Sequence, residues 1–179
     1  MTLLTIYMPS KRSLAGSRDA IESALAYAGH VDAQLIVSDN SGDMEKRRWL
    51  EGLSPRLHAV VSDAESAADN WRAAFERVKT PFLLPMGDDD LVSFREDEEP
   101  VDLAALPADA IGVRPVTQIW TLSDGVRQTE RFPLVETTPG ARFAEYSRKA
   151  RGNNSSYYSI FRSAPFLSLM RLFVDEHPT

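Results

Sequence analysis

The sequence contains no cysteine, which excludes disulfide bonds, thiolate metal sites and cysteine nucleophiles. It has no apolar stretch near the roughly 18 residues that a membrane-spanning helix needs, and its amino terminus lacks a signal-peptide pattern. With a net charge of −6, it also lacks the basic excess typical of nucleic-acid-binding proteins. We therefore expect a cytoplasmic protein with no transmembrane segment and no nucleic-acid partner. Docking on a membrane surface stays open.

The composition is that of an ordinary folded protein, with 43% apolar and 26% charged residues. A chain of 179 residues can bury a sizeable core, so we predict a single domain over residues 1–179. Its acidic residues are unevenly spread, because eight lie between Asp88 and Asp102 against one basic residue, Arg95. The middle of the chain therefore carries the most unusual local charge.

The first half alternates strand and helix patterns, which predicts an α/β fold with a parallel sheet and helices on both of its faces. Short apolar runs predict four strands, at residues 3–8, 35–37, 57–61 and 81–86. Helical periodicity covers residues 20–28 and a short charged segment at 43–53. A third helix follows Ser66, which forms a capping-box pattern with Asp69.

The second half has a different pattern. Residues 111–122 and 126–134 flank Ser123-Asp124-Gly125, which predicts a β-hairpin because Asp-Gly accommodates positive φ. We also predict a helix at 141–151, a short strand at 157–161 and a last helix at 164–173. In the last helix Leu167, Met170 and Val174 share one face.

The fourth predicted strand ends in three consecutive carboxylates, Asp88-Asp89-Asp90. Open α/β sheets bind their ligands at the carboxyl ends of strands. Three neighbouring carboxylates repel one another by about a few kcal/mol per pair at an effective dielectric near 20, and a bound cation would relieve this repulsion. The alternative is a solvated acidic turn.

Four segments in this order resemble family 2 glycosyltransferases of the GT-A fold: residues 5–12, residues 35–41, Asn70 within a helix, and residues 82–90. The resemblance covers about residues 3–92. It implies a Rossmann-like, mostly parallel sheet flanked by helices, with a mixed hairpin region in the second half. It also implies metal-dependent transfer of a sugar from a nucleoside-diphosphate-sugar donor to a saccharide or other hydroxyl acceptor, with inversion. Residues 1–92 would bind the sugar nucleotide and residues 93–179 the acceptor.

The resemblance also assigns site residues. Those implied to bind the nucleotide are Pro9, Ser10, Lys11, Arg12, Asp39, Asn70, Asp88 and Asp89. Asp90 and Asp88 are implied to bind Mn²⁺ or Mg²⁺, which are cations that prefer oxygen ligands and neutralise a leaving diphosphate. Asp39 has an alternative interpretation as the start of an Asx turn, and Asn70 as an exposed surface residue.

In the family a carboxylate deprotonates the acceptor hydroxyl, and it often lies eighty or more residues after the metal motif. Asp175-Glu176 is the acidic pair at about that distance, so both are candidate bases; a charged tail is the alternative. Relatives usually continue further, so the chain is expected to be a shortened or minimal form.

Two other functions stay open. The first is a nucleotidyltransferase, but Lys11-Arg12 after the first strand lack the glycine-rich phosphate loop of that class. The second is a sugar-nucleotide-binding module without a working base.

Overall fold

The computed structural model describes residues 2–121, 123–150 and 154–177. The chain forms two compact units, Met1–Ile111 with Phe161–Thr179, and Gly112–Ile160. Their boundary does not coincide with the division at residue 92 that the resemblance implied. The single domain stays a prediction.

Eight strands, five α-helices and two short 3₁₀ turns (Leu103–Ala105 and Ser155–Tyr157) make up the secondary structure of the described residues. The strands are β1 (Leu4–Ser10), β2 (Gln34–Asp39), β3 (Leu57–Val61), β4 (Phe82–Pro85), β5 (Gly112–Val113), β6 (Thr117–Thr121), β7 (Gly125–Glu130) and β8 (Ile160–Arg162). The helices are α1 (Leu14–His30), α2 (Met44–Leu50), α3 (Ala67–Phe75), α4 (Pro139–Ala150) and α5 (Ser163–Glu176). Within the described part of the chain, no helix combines the length and apolar character needed to cross a membrane.

The sheet of the first unit has the strand order β3-β2-β1-β4-β8. Strands β1 to β4 are parallel, which confirms the predicted parallel sheet, whereas β8 runs antiparallel to β4. The crossovers through α1 and α2 step from β1 towards β3, and the crossover through α3 returns to the other side of β1. Since such crossovers are right-handed, α1 and α2 lie on one face and α3 on the other. The chain order therefore reverses between β1 and β4.

Several predicted boundaries shift. Helix α1 begins at Leu14, before the periodic segment 20–28. Helix α3 ends at Phe75, and the buried Val78 lies beyond its end. The strand predicted at 157–161 lies at Ile160–Arg162 instead, because Ser155–Tyr157 form a 3₁₀ turn.

Helix α5 packs antiparallel to α3. Arg72 Nη2 lies 2.7 Å from Asp175 Oδ1, and one turn further along α3 Glu76 Oε1 lies 2.8 Å from Arg171 Nε. The predicted inner face of α5 is confirmed, because Leu167, Met170 and Val174 are all buried.

The second unit contains the hairpin of β6 and β7, and Gly125 in its turn has φ +68°, as the Asp-Gly signal predicted. Leu122 of that hairpin and Arg151 of the predicted helix lie outside the described residues. Glu130, which is almost fully buried, forms an ion pair with Arg114 and bonds to Ser155.

Candidate functional site

The carboxyl ends of β1 and β2 lie side by side, because the parallel register pairs Ser10 with Asp39 and Pro9 with Ser38. The acid triplet follows β4 on the other side of β1. The edge where chain order reverses is where open α/β sheets bind ligands. The predicted residues of the 10–12 turn, Asp39 and the triplet thus come together there, and we call this group the carboxyl-edge site.

Asp88 closes the gap between β1 and β4. Its Oδ2 accepts three hydrogen bonds, from Ser10 Oγ at 2.8 Å, Lys11 N at 3.0 Å and Arg12 N at 2.9 Å. Only 14% of its side chain is exposed. The donors come from the turn after β1 and the carboxylate from the turn after β4. Asp88 therefore fixes one strand-end turn against the other.

Arg12 neutralises part of the triplet. Its Nε lies 3.4 Å from Asp88 Oδ1, and its Nη2 donates to Asp89 Oδ2. About half of the Arg12 side chain remains exposed. The protein thus relieves part of the predicted carboxylate repulsion with its own guanidinium and backbone N–H groups.

Gly87 forms a cradle for the other two carboxylates. A Cβ atom at Gly87 would lie 2.5 Å from Asp90 Oδ2 and 3.1 Å from Asp89 Oδ1, so both oxygens approach the same side of its backbone. In the part of the chain that the structure describes, no group of three or more His, Asp or Glu side chains is arranged to hold a metal ion. Mg²⁺ commonly takes one or two carboxylates and completes its shell with phosphates and water. Asp89 and Asp90 fit that donor set better than Asp88, whose Oδ2 already accepts three bonds.

Asp39 is buried, with 1% of its side chain exposed. Its Oδ1 faces Lys46 Nζ at 3.0 Å and accepts from Ser41 N at 3.2 Å, so Asp39 forms an Asx turn; its nucleotide-binding role stays a prediction. Among the described residues, its Oδ2 and the Nε of Arg47 have no hydrogen-bond partner, and the two atoms lie 4.0 Å apart. Buried polar atoms nearly always have partners, which makes this facing acceptor and donor unusual.

Lys46 is a site residue that the sequence did not reveal. Its side chain is fully buried, and its Nζ bonds to Ser10 Oγ and to Arg12 O as well as to Asp39. Helix α2 places it there, because the Asp43 side chain caps the helix by accepting from Glu45 N and Lys46 N. Nothing in the sequence separates Lys46 from Arg47 or Arg48 except its place in the first turn of that helix.

Asp43 also joins α2 to the start of α1. The hydrogen bonds from the backbone N–H groups of Leu14 and Lys46 hold the pKa of the Asp43 carboxyl below its usual value. Its carboxylate is therefore kept ionised beside the buried Lys46.

Asn70 is buried, so its interpretation as an exposed surface residue is wrong. It accepts a hydrogen bond from Ser38 Oγ at 2.7 Å and donates one to Asn40 Oδ1 at 2.9 Å. These bonds fix α3 to the end of β2. Asn70 therefore supports the strand end that carries Asp39.

The candidate bases lie in the last turn of α5. Asp175 is largely exposed and pairs with Arg72 of α3, and Glu176 is exposed. Both residues are helical, and whether they form a base or only a charged end of the chain stays open. The contact that positions Asp175 is with α3.

Comparisons with known proteins give limited information. No family profile and no curated protein matches the chain. Among solved structures, the crystal structure of S. aureus TarS 1-349 is similar at 18% sequence identity and a TM-score of 0.41. The match covers 50% of this chain and only 28% of that one. A likeness at this level carries no argument about function.

Proposed function

We propose that the carboxyl-edge site binds a nucleoside-diphosphate sugar together with a divalent cation, and that the protein transfers the sugar to a hydroxyl acceptor. The observation that supports this most directly is the convergence of the 10–12 turn, Asp39 and the acid triplet where the strand order reverses. That edge combines carboxylates with an exposed guanidinium, as a site for a metal-bound diphosphate needs.

The phosphate end of the proposed ligand lies beside Arg12 and the triplet. Asp89 and Asp90 would hold Mn²⁺ or Mg²⁺, and the cation would neutralise the charge of the departing diphosphate. Arg12, half exposed and bonded to Asp89, would contribute a guanidinium to the phosphate oxygens. Asp88 keeps the 10–12 turn in place.

The nucleoside end lies at Asp39. The Oδ2 of Asp39 and the Nε of Arg47 lie 4.0 Å apart as an ion pair, and neither has a hydrogen-bond partner among the described residues. They offer one acceptor and one donor, which suits an edge of a base or ribose carrying both kinds of group. Asp39 is buried under its neighbours, so we expect the Arg47 side chain to move when the nucleoside enters.

Asp175 or Glu176 is the proposed base for the acceptor hydroxyl, and a base on the face opposite the leaving group gives inversion. Asp175 Oδ1 forms an ion pair with Arg72 Nη2 of α3 at 2.7 Å. The same ion pair favours a second candidate function, a binding module without turnover. A carboxylate that is paired with Arg72 of α3 is less available to deprotonate an acceptor hydroxyl.

Calorimetry against uridine, guanosine, cytidine and adenosine diphosphates, with and without Mn²⁺, tests the binding proposal. We expect metal-dependent binding that Asp90→Asn abolishes and that Asp109→Asn, an exposed carboxylate outside the site, leaves unchanged. Binding of none of these diphosphates to the folded wild type would refute the proposal.

Release of nucleoside diphosphate from the matching donor sugars separates the two candidate functions. The enzyme should lose turnover in Asp175→Asn or Glu176→Gln by about 10²-fold or more, the usual contribution of a general base. Nucleotide binding with no turnover from any donor would favour the module.

A further inference from the structure

We infer that Lys46 is a positioning residue that joins the nucleoside end of the carboxyl-edge site to its phosphate end. The inference rests on the function proposed above, but it makes one prediction that needs no ligand.

Burial of Lys46 is the first observation. Lysine is among the residues least often fully buried, and a buried charge is tolerated only when it is paired and hydrogen-bonded. An ammonium group has three N–H donors. The Lys46 ammonium donates hydrogen bonds to Ser10 Oγ and Arg12 O and forms an ion pair with Asp39 Oδ1 at 3.0 Å. These three contacts all lie within the site.

The second observation is the continuity of this network. Ser10 has a single hydroxyl hydrogen, which it donates to Asp88 Oδ2, so its oxygen is left to accept from Lys46. Asp39, Lys46, Ser10 and Asp88 thus form one chain of bonds. It links the end of β2, the first turn of α2, the end of β1 and the turn after β4.

The network also determines which atoms remain open to a ligand. Lys46 and Ser41 N–H take Oδ1 of Asp39, and Oδ2 makes no hydrogen bond. Lys46 also holds Arg12 through its carbonyl, while the Arg12 guanidinium reaches the triplet. The Lys46 ammonium group therefore orients Asp39, the proposed nucleoside contact, and the backbone of Arg12, the proposed phosphate contact.

A role in stability alone predicts a different result. Replacing both members of a buried ion pair by neutral residues often costs little, whereas removing one member leaves an uncompensated buried charge and lowers stability. If Lys46 only supported the fold, Lys46→Met would lower global stability and leave the local opening of the strand-end turn unchanged. A positioning role predicts that the fold survives and the strand-end turn loosens.

Amide hydrogen exchange tests the inference without any ligand. The variant is Lys46→Met, and Arg48→Met on the exposed side of α2 is the matched control for charge and size. We expect the amides of Lys11 and Arg12, which donate to Asp88, to exchange about tenfold faster in Lys46→Met, a loss comparable to one charge-assisted hydrogen bond. The amide of Ile6 within β1 reports the change in global stability, and all three amides should keep their wild-type protection in the control.

Nucleotide affinity is the second measurement, with whichever of the four diphosphates binds the wild type most tightly in the presence of Mn²⁺. Lys46→Met should weaken that affinity by about tenfold or more, and Arg48→Met should change it less than twofold. Should the wild type bind no diphosphate, the proposed function fails, and the exchange measurement alone still decides the role of Lys46.

The double variant Asp39→Asn, Lys46→Met covers the case in which the single variant does not fold. It removes both buried charges, so we expect it to fold and to show the same fast exchange at Lys11 and Arg12. A folded variant with wild-type exchange and affinity would overturn the inference. Failure of both variants to fold would also overturn it, because the pair would then be a requirement of the fold.

Discussion

Replacement of Asp88 by alanine separates two explanations of the acid triplet by the sign of a stability change. If the triplet were three repelling carboxylates awaiting a cation, removal of one would stabilise the metal-free protein. The structure instead gives Asp88 Oδ2 three donors, from Ser10 Oγ and the backbone N–H groups of Lys11 and Arg12. Removal of their common acceptor should destabilise the fold.

The size of the effect follows from the environment of these bonds. A hydrogen bond to a charged group contributes about 1.5–3 kcal/mol. Water can replace the acceptor at Lys11 and Arg12, whose bonds are exposed, but less readily at the part-buried Ser10. We therefore expect Asp88→Ala to lower the free energy of unfolding by about 2–3 kcal/mol. In a protein of this size that corresponds to a fall in Tm of roughly 4–12 °C.

The assay is urea and thermal unfolding in the presence of a chelator, so that no metal contributes. Asp89→Ala is the matched control, because Asp89 carries the same charge and is 55% exposed. It should change the free energy of unfolding by less than about 1 kcal/mol, as exposed ion pairs do. Asp88→Asn should fall between wild type and alanine because it keeps an acceptor oxygen. An Asp88→Ala variant as stable as wild type, or more stable, would refute the reasoning.

Three further predictions concern other parts of the first unit. In Gly87→Ala the Asp90 carboxylate must move away from the new Cβ atom by roughly 0.9 Å, from 2.5 Å to the 3.4 Å of ordinary contact. Mn²⁺ binding measured by calorimetry should therefore be lost, while Tm should change little. Unchanged metal binding would contradict the role of Gly87 as a cradle. The hydrogen bond from Arg171 holds the pKa of Glu76 below its ordinary value. The Tm advantage of wild type over Glu76→Gln should therefore be complete at pH 7 and disappear as the pH falls through the folded-state pKa. A Tm difference that stays constant across the acid range would contradict this. Met170→Ala should lower the free energy of unfolding in urea by about 2–5 kcal/mol, because Met170 is buried. Leu169→Ala should lower it by less than about 0.5 kcal/mol, because Leu169 is 63% exposed. Equal losses in the two variants would contradict the orientation of α5.

The fold of the first half could be predicted because its signals are local. The runs at 35–37 and 57–61 are too apolar and too short for helices, and Ser66 with Asp69 marks a helix start that the structure confirms. The strand at β8 was placed too early because Ser155–Tyr157 adopt a 3₁₀ turn, which short polar and aromatic residues permit but do not signal. The hairpin turn is predicted correctly because it needs a positive φ at residue 125, which glycine adopts without strain.

The site could be predicted only as far as strand ends determine it. Asp39 and the triplet were placed at the right edge, since parallel strands bring their carboxyl ends together. The bonds of Asp88 depend on backbone N–H groups, which every residue has, so side-chain identity does not reveal them. The burial of Lys46 could not be predicted either. It depends on the direction in which α2 runs from its Asp43 cap, which the residue type does not indicate. Metal dependence, the donor and the base remain predictions.

The first unit is interrupted, since the chain leaves it at Ile111 and re-enters at Phe161. The points of departure and return are joined: Arg162 N donates to Ile111 O at 2.8 Å, and the Arg162 guanidinium reaches the carbonyl of Ala110. We expect changes in the length of the intervening segment to leave the parallel strands and their shared edge with their native connections, because β1 to β4 all lie within residues 4–85.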